Sequence, residues 1–430
     1  MRFARPIFVS ALTVCCLGWM MAAKAARAQS FGVELHNTLM PASGAMAGTS
    51  LARPQDLQSA IFGNPATLSQ YRGTQFSFAG AWAEPTYNLG YDGNVPALNA
   101  LGLSTFQAKS GAPGSGLAGI GVTQDISALG LPATLGIGLG ATSGASGEWR
   151  AAPGSNGTTV SLAILAFSTG VGVDLTDRLS LGAALGLGIG AMDGPWVGAT
   201  GNASAYGLRG QLGLDYDLTE RTTLGFYYQT KQHFTFEDNI RFPIPGPAGD
   251  VYLDTDVELP QNIGLGIANN RLLDGQLLLA ADLLYKQWTA TDLYGALYHD
   301  QWVVQFGSQY SMGRVRLRAG YAWAENPIRD NPGQSAGGIT PPNGRPVIEY
   351  VQSTLAVVNQ HRISAGIGIR DVLPGIDFDL FAGGMFEASQ TFAGGHVRAA
   401  LESYWIGTGL TWRFGRGACE HGAWKAGGAN

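Results

Sequence analysis

From Thr74 to Phe414 the chain repeats short segments in which large apolar residues alternate with glycine or polar residues. In LGAALGLGIG, the aliphatic residues between Leu181 and Ile189 share one face of an extended chain, and the glycines share the other. In SYWIGTGLTWRF, aromatic residues such as Tyr404 lie on the apolar face. Alternation with a period of two is typical of β-strands that have two different faces. The pattern therefore predicts an all-β chain.

About fourteen segments of this kind can be counted, with boundaries good to a few residues. They lie near residues 74–90, 116–126, 134–142, 159–173, 178–192, 204–216, 221–236, 253–267, 275–289, 301–311, 314–325, 361–370, 376–388 and 403–414. The fourth segment changes phase, because Val160 and Leu162 fall on one face while Phe167 falls on the other. A bulge near Ile164 and Leu165 would bring both groups to the same face.

The connections between these segments alternate between tight and long. Tight links such as DLTDR at Asp174 and DLTER at Asp217 follow the even-numbered segments, and longer links follow the odd-numbered ones. Transmembrane barrels have short periplasmic turns and long outer loops, and a sheet in a bilayer must close because an open edge leaves backbone groups unpaired. We therefore expect a transmembrane antiparallel β-barrel of about 14 strands over residues 73–414. A soluble β-sandwich explains neither the outward aromatic residues nor the alternating links.

Residues 1–28 have the features of a secretory signal peptide. Two arginines open the segment, an apolar stretch follows, and Ala26–Ala28 supplies a small-residue cleavage site. The alternatives are an uncleaved membrane helix and a lipoprotein signal at Cys15 and Cys16, which would leave a very short apolar region. The preferred interpretation is an exported chain that begins near Gln29.

Charge and composition narrow the class of protein. Removing the four basic residues of the signal from 26 leaves 22 against 31 acidic residues, a net charge of about −9, so nucleic acid is not an expected partner. Charged residues make up 13% of the sequence and glycine numbers 63, which is unusual for a soluble enzyme of this size. Of the three cysteines, Cys419 alone remains in the mature chain, so no intramolecular disulfide is expected.

Residues of the types that catalyse reactions or bind metals are scattered. The six histidines have no HExxH or paired-ligand spacing, and no G-x-S-x-G sequence occurs. The repeated G-x-G stretches follow strand alternation and do not indicate a phosphate-binding loop. We expect no enzyme activity, no catalytic residues, no cofactor and no metal site.

Residues 29–72 differ from the rest of the chain, since they are rich in alanine, glycine, serine and proline. A segment this short cannot bury a core of its own, whereas a 14-stranded barrel has room for a small plug. We expect residues 29–72 to form an N-terminal hatch inside the barrel.

The order of several motifs resembles a known family. The hatch sequences SGAMAG and SAIFGNPATL, followed by TQFSFAGAW, resemble the start of the outer-membrane long-chain fatty-acid transporters (FadL/TodX), whose hatch ends in Asn-Pro-Ala before the first strand. Further similar segments follow in the same order: DRLSLGAALGLG, LPQNIGLGIA, ADLLYKQWTATD, RLRAGYAWAENPIRD and NQHRISAGIGIR. The resemblance spans nearly the whole mature chain.

The resemblance implies a monomeric channel in the bacterial outer membrane, inserted by the barrel assembly machinery and surrounded by outer-membrane lipid. Its ligand would be a long-chain fatty acid or an apolar hydrocarbon, which passes an internal pocket and leaves sideways through the wall at a kinked third strand. By position that strand is Pro132–Thr142, but its glycines also fit ordinary lumen-facing positions, so the opening is not assigned. Asn64, Pro65 and Ala66 correspond to the hatch motif; alternatively, they merely turn the chain into the barrel.

Two features depart from the family pattern. The hatch contains ARPQDLQ where small and acidic residues are more usual, which puts its ligand contacts in doubt. Residues 415–430 follow Phe414, although such barrels usually end at an aromatic residue read by the assembly machinery. Either that signal is internal, or residues 415–430 are an extension.

Other side chains have a functional and a simpler interpretation. Arg314, Arg316 and Arg318 share one face, where one of them could bind a ligand carboxylate. The simpler and favoured interpretation pairs them with lumen-facing carboxylates such as Asp282 or Glu402. A set of loop aromatic residues could form an outer capture site, or could be interfacial belt residues, the commoner case. This set comprises Trp149, Trp196, Tyr294 and Tyr298. As an alternative to transport, the long loops could serve adhesion or envelope structure.

Overall fold

The structure, a computed structural model, describes residues 34, 36–197, 201–242, 249–336, 340–341, 344–356 and 358–414. The predicted signal peptide 1–28 and the extension 415–430 lie outside the described residues. Seventeen strands are present in this part of the chain: β1 Thr74–Tyr91, β2 Phe106–Lys109, β3 Ser115–Asp125, β4 Ala133–Glu148, β5 Thr159–Asp174, β6 Leu179–Trp196, β7 Ala203–Thr219, β8 Thr222–Gln229, β9 Gln232–Phe242, β10 Val251–Leu259, β11 Asn262–Leu272, β12 Leu277–Lys286, β13 Gln301–Met312, β14 Val315–Ala324, β15 His361–Leu373, β16 Ile376–Phe392 and β17 Val397–Phe414.

Helical elements are short. The α-helices span Leu57–Phe62, Pro96–Ala100, Leu293–Leu297 and Arg345–Thr354. Short 3₁₀-helices span Gly44–Met46, Pro65–Gln70, Ser127–Leu129, Pro153–Ser155, Leu273–Gly275, Trp288–Ala290 and Ala393–Gly395. Among the described residues, no helix has the length and apolar character needed to cross a membrane.

Fourteen of the strands form one closed antiparallel barrel. Each pairs with its neighbour in the order β1, β3 to β8 and β11 to β17, and β17 returns to pair with β1 along its whole length. The short strand β2 pairs with the upper end of β1, and β9 and β10 form a separate hairpin. The predicted all-β barrel of 14 strands is thus confirmed.

Two of the predicted strands are wrong in their extent. The segments 221–236 and 253–267 each join parts of two different strands, because β8 ends at Gln229 and β11 begins at Asn262. The intervening hairpin of β9 and β10 folds into the lumen, where Phe234 and Phe236 are fully buried. Their rings lie against Gly188 and Gly190 of β6, so a side chain at either glycine would collide with them.

The two faces of the barrel have different characters. Outward side chains are large and apolar, as in Leu208, Leu212 and Ile406, which are more than half exposed, and this is the surface that a bilayer covers. The inner face of β5 is also apolar in its upper half, where Val160 and Ile164 are buried. The predicted bulge near Ile164 and Leu165 of β5 is therefore wrong. The strand is regular there: its upper apolar residues face the lumen, and its lower apolar residues face outward. The bulge lies instead opposite these residues, in β4 between Ala141 and Ser143.

Tight turns gather at one end of the barrel, and long connections gather at the other. Six turns at the first end, among them those after Asp174 and Thr219, link consecutive barrel strands through two to seven residues. The long connections fold inward over the opposite opening and bury a large apolar cluster there. We call these the periplasmic and outer ends, following the arrangement of transmembrane barrels.

Residues 36–72 form the hatch, which winds around the inside of the wall. Lumen-facing glycines provide the room: a side-chain carbon at Gly213 of β7 would lie 1.9 Å from the Asn64 side-chain oxygen, and one at Gly320 of β14 would lie 2.2 Å from the Met46 carbonyl carbon. Similar close approaches occur at Gly182, Gly225, Gly264, Gly266, Gly307, Gly366 and Gly409. The absence of side chains at these glycines therefore lets the hatch lie close to the wall.

Candidate functional site: a gap in the barrel wall covered by the hatch

The hydrogen-bonded wall is interrupted between β3 and β4. Their pairing runs from Asp125–Thr134 to Gly119–Gly140 and stops there. Beyond this point β3 continues to pair with β1 and β4 continues to pair with β5. The bulge at Thr142 directs the upper part of β4 away from β3, as bulges commonly redirect a strand. We call this interruption the β3–β4 gap.

The gap closes again at its upper end. There the Gly111 amide donates a hydrogen bond of 2.7 Å to the carbonyl of Glu148, the last residue of β4. The interrupted stretch of β4 is therefore about seven residues, or roughly 23 Å at the usual rise per strand residue. This stretch belongs to the third barrel strand, which the family resemblance had marked as kinked.

Hatch residues cover the gap from inside. Leu39, Met40 and Gln58 line a small space of about 20 Å³ with Leu117 and Ala141 at the edges of the two strands. The Gln58 amide donates a hydrogen bond of 3.0 Å to the Gly119 carbonyl, where the ladder ends. Farther along β4, Glu34 forms an isolated antiparallel bridge with Ser143. The N-terminal part of the hatch thus occupies the place of the missing strand contact.

Glu34 is also the centre of a buried charged network. Its carboxylate lies 2.8 Å from the Arg209 guanidinium and 3.6 Å from the Lys286 ammonium. Asn262 donates to it at 3.1 Å, and His36 lies 3.2 Å away. The side chain of Glu34 is 3% exposed. Two cations from β7 and β12 therefore hold one carboxylate of the hatch inside the lumen.

The charges in this network fix its protonation states. Burial opposes ionisation of Glu34, but the charges of Arg209 and Lys286 outweigh it and hold the pKa of Glu34 well below its usual range. Burial, together with the charge of Lys286, lowers the pKa of His36 to about 4 against the opposing pull of Glu34. At neutral pH Glu34 is therefore a carboxylate that is hydrogen-bonded to the neutral imidazole of His36. We call the Glu34 side chain, held by Arg209 and Lys286, the anchor of the hatch.

A small cavity connects the network with the bulge. Its volume is about 50 Å³, and Glu34, Met40, Phe62, Thr142 and Arg209 contribute to its lining. Met40 and Phe62 make one part of its wall apolar, and Glu34 and Arg209 make another part charged. The cavity places the anchor of the hatch beside the β3–β4 gap.

Aromatic residues close the outer end above this cavity. Trp149, Tyr294 and Tyr298 are almost completely buried, so the interpretation of these residues as an interfacial belt is wrong. They contact Tyr87 and Trp288 at ring-centroid distances of 5.0 to 5.5 Å. We call these five residues the aromatic cap. Aromatic residues near strand ends fit either location in a sequence, and burial distinguishes them here.

The aromatic cap is tied to other connections and to the anchor. Tyr87 and Tyr298 donate hydrogen bonds to the carbonyls of Ser353 and Leu355, in and after the long helix of the connection between β14 and β15. The Lys286 ammonium lies 5.9 Å from the centre of the Trp288 ring. The side chain of Trp196 lies outside the described residues.

The hatch motif serves as a docking element. The Asn64 side-chain oxygen accepts the Ala66 amide, and Pro65 occupies the first position of the 3₁₀-helix that follows. The Asn64 amide group donates to the carbonyls of Leu51 and Leu214 at 2.7 and 3.0 Å. Asn64 thus caps a helix and also joins two parts of the hatch to β7.

Arg316 and Arg318 lie in the periplasmic half of β14, and Arg314 lies in the turn before it. Arg318 is buried against Asp379 and donates to Gln309 at 2.7 Å, while Arg316 lines the periplasmic cavity and Arg314 is exposed. Of the partners that we expected, Asp282 accepts the backbone amides of Ser50 and Leu51, and Glu402 faces outward. The role of the three arginines in binding a ligand carboxylate stays a prediction.

The periplasmic mouth below the hatch is polar. Its cavity of about 520 Å³ is lined by arginine and aspartate side chains, including Arg53, Arg72, Asp174, Asp215 and Arg370. A passage straight down the barrel would therefore end among charged groups.

Sequence reasoning did not find Glu34, Arg209 or Lys286. Arg209 interrupts a run of small and apolar residues in β7, and Lys286 ends an apolar strand, so isolated charges at lumen-facing positions were the available signal. Their convergence on one carboxylate needs the three-dimensional fold, because Glu34 and Lys286 are far apart in the chain.

No protein-family model matches the sequence, and no curated protein does. Solved structures do match. The toluene transporter TodX of Pseudomonas putida is 18% identical over 87% of this chain and 98% of its own, with a TM-score of 0.63. A FadL homologue of Pseudomonas aeruginosa is 15% identical over 89% and 100%, with a TM-score of 0.65. The toluene transporter TbuX of Ralstonia pickettii is 16% identical over 87% and 98%, with a TM-score of 0.57. The chain therefore has the FadL/TodX fold, a 14-stranded barrel with an N-terminal hatch.

Proposed function

We propose that this protein is an outer-membrane channel for the passive uptake of hydrophobic small molecules, which leave sideways through the β3–β4 gap. The observation that carries the proposal is the interruption of the wall at Gly119 and Gly140, covered from inside by hatch residues. A gap in the wall of a membrane barrel opens toward lipid rather than toward water. Proteins of the same fold are described as toluene transporters and hydrocarbon channels, not as enzymes.

The polarity of the two exits favours the lateral one. Exposing apolar surface to water costs about 25 cal/mol per Å², and the periplasmic mouth is lined by arginine and aspartate residues. The β3–β4 gap is lined by small and apolar residues such as Leu117 and Ala141. Moving into the membrane therefore costs a hydrophobic ligand less free energy than moving straight down into the charged periplasmic mouth.

The position of its N-terminal part supports a gating role for the hatch. Leu39 and Met40 lie in the gap, and Glu34 bridges to Ser143 above the bulge. A ligand can pass when these residues move inward or aside, which requires the Glu34 carboxylate to leave Arg209 and Lys286. The network is then the energetic barrier of the gate, and transport needs no energy source beyond the ligand gradient.

The chemistry of the anchor separates two classes of ligand. A long-chain fatty acid carries a carboxylate that can compete with Glu34 for Arg209 and Lys286, whereas an uncharged hydrocarbon cannot. Fatty acids would therefore promote release of the hatch, and hydrocarbons would depend on its spontaneous movement. We further propose that the protein acts as a monomer inserted by the barrel assembly machinery.

Uptake in a transport-deficient strain tests the proposal. Cells that carry the protein would be given radiolabelled oleate, toluene and a small sugar, with the inserted barrel quantified in the membrane. We expect saturable uptake of oleate or toluene, or of both, and no uptake of the sugar. Equal rates for all three solutes, or no uptake from a correctly inserted barrel, would contradict the proposal. The adhesion alternative gains no support from the outer connections, because they fold inward and place many of their apolar residues in a buried cluster.

A further inference from the structure

A group of metal-ligating side chains lies at the outer end, outside the proposed passage. His233 of β9 and Glu258 of β10 are directly opposite each other in the hairpin, and Asp292 precedes the short helix Leu293–Leu297. One ligand atom from each of the three residues lies within 4.8 Å of the other two. The residues come from three separate elements, so their convergence is a product of the fold.

From this geometry we propose that His233, Glu258 and Asp292 form a binding site for a divalent metal ion of the zinc type. An imidazole nitrogen and carboxylate oxygens are both donor types that bind Zn²⁺, and the imidazole favours it over Mg²⁺ or Ca²⁺; water is free to take the fourth position. Ligand atoms around tetrahedral Zn²⁺ are about 3.3 Å apart. The His233 Nδ1 and Glu258 Oε1 atoms are 3.7 Å apart, so small side-chain rotations complete the site.

The surroundings of the group already hold a positive charge. The Lys231 ammonium lies 3.0 Å from Glu258 Oε2 and donates to the Ala290 carbonyl at 3.0 Å. Asp256 adds a further carboxylate, 3.6 Å from His233 Nε2. Lys231 thus neutralises Glu258 when the metal is absent and competes with the ion for this carboxylate. The site is partly exposed to solvent, which gives a metal ion direct access from outside the cell.

A metal ion at this site would connect two parts of the outer closure. The hairpin buries Phe234 and Phe236 in the lumen, and the segment after Asp292 carries Tyr294 of the aromatic cap. An ion bound by both parts would link them and restrict movement of the outer closure. We did not expect a metal site from the sequence, because the three ligands are separated by 24 residues and more and follow no motif.

Zinc binding to the purified full-length protein in detergent tests the site. Titration against a chromophoric chelator would be done in a C419S/H421A background, because the C-terminal segment contains its own cysteine and histidine. We expect one Zn²⁺ ion per chain, and a loss of affinity of at least about tenfold in His233→Ala. Lys231→Ala should bind more tightly than the parent, because the competing ammonium is gone. Cobalt(II) should give the visible absorption of a four-coordinate site.

The matched control is His396→Ala. His396 is an exposed histidine on another outer connection, 2.8 Å from Asp92, and its loss should leave zinc binding unchanged. Zinc binding that is equal in the parent and His233→Ala, or equally weakened by His396→Ala, would overturn the proposal. Unchanged or weaker binding in Lys231→Ala would also contradict it, even if His233→Ala folds poorly. None of these outcomes depends on transport activity.

Discussion

The carboxylate of Glu34 in the hatch lies 2.8 Å from the guanidinium of Arg209 in β7. Removing one partner of a buried ion pair costs about 3–5 kcal/mol, because the remaining charge loses its compensation. In Glu34→Gln, Arg209 and Lys286 keep their charges without the carboxylate that they share. We expect the hatch of this variant to leave its docked position more readily, and toluene uptake per inserted barrel to rise.

Glu220→Gln is the control for this variant, because Glu220 is exposed in a periplasmic turn. Its uptake should equal that of the parent protein. If Glu34→Gln inserts normally and transports toluene no faster than Glu220→Gln, the ion pair is not part of the gate.

Glycines of the inner wall should be required for hatch docking rather than for barrel formation. A side-chain carbon at Gly213 would lie 1.9 Å from the Asn64 side-chain oxygen, whereas one at Gly210 of the same strand would have its nearest neighbour at 3.5 Å. We expect Gly213→Ala to form a barrel that migrates normally in a heat-modifiability gel but has a protease-sensitive hatch. Gly210→Ala should resist the protease like the parent, and equal resistance of both variants would argue against tight seating of the hatch.

Two variants of Asn64 separate docking from simple chain turning. Asn64→Asp keeps the oxygen that accepts the Ala66 amide but loses the amide that donates to Leu51 and Leu214. Loss of the cap alone costs about 1 kcal/mol, and a buried carbonyl without a donor costs about 1–3 kcal/mol. We expect both Asn64→Asp and Asn64→Ala to expose the hatch to protease. Full protection of Asn64→Asp would instead mean that the motif only turns the chain.

Acidification should favour release of the hatch. The pKa of His36 is lowered to about 4 when it is docked, against 6.5 for a solvated histidine, so the released state binds more protons between these values. Docking therefore loses stability as the pH falls from about 6.5 toward 4. The depressed pKa of Glu34 acts in the same direction below about 4.5. Protease sensitivity of the hatch measured from pH 7 to 4 should rise, and His36→Gln should flatten the rise above pH 4.5.

The barrel could be predicted from the sequence because its rules are local. Alternation in segments such as Leu181–Ile189 fixes two faces, and the lengths of the links fix which strands are neighbours. The hairpin of β9 and β10 could not be separated in this way, since its alternation is the same as that of a barrel strand. Pro260, which lies between β10 and β11, was the one local signal of a break.

The site was less predictable because it depends on contacts between distant residues. The resemblance to a family points to the third strand, but alternation alone places the bulge in the neighbouring segment, because the apolar inner face of β5 mimics a change of phase. Val160 and Ile164 face inward because the outer connections fill that part of the lumen. Glu34 gave no signal in the sequence, as its partners come from β7 and β12.

The most direct test of lateral, hatch-gated transport is a reversible lock between Glu34 and Ser143. Residues paired in an antiparallel bridge have Cα atoms about 4.5–5.5 Å apart, which suits a disulfide, and Glu34 and Ser143 form such a bridge. The double variant Glu34→Cys/Ser143→Cys would be made in a C419S background, with each single variant as a control. Toluene uptake should be lost in the oxidised double variant and return on reduction, while both single variants stay insensitive to oxidation. Equal uptake by the oxidised and reduced forms would contradict the account, because ligand would then pass without movement of this part of the hatch.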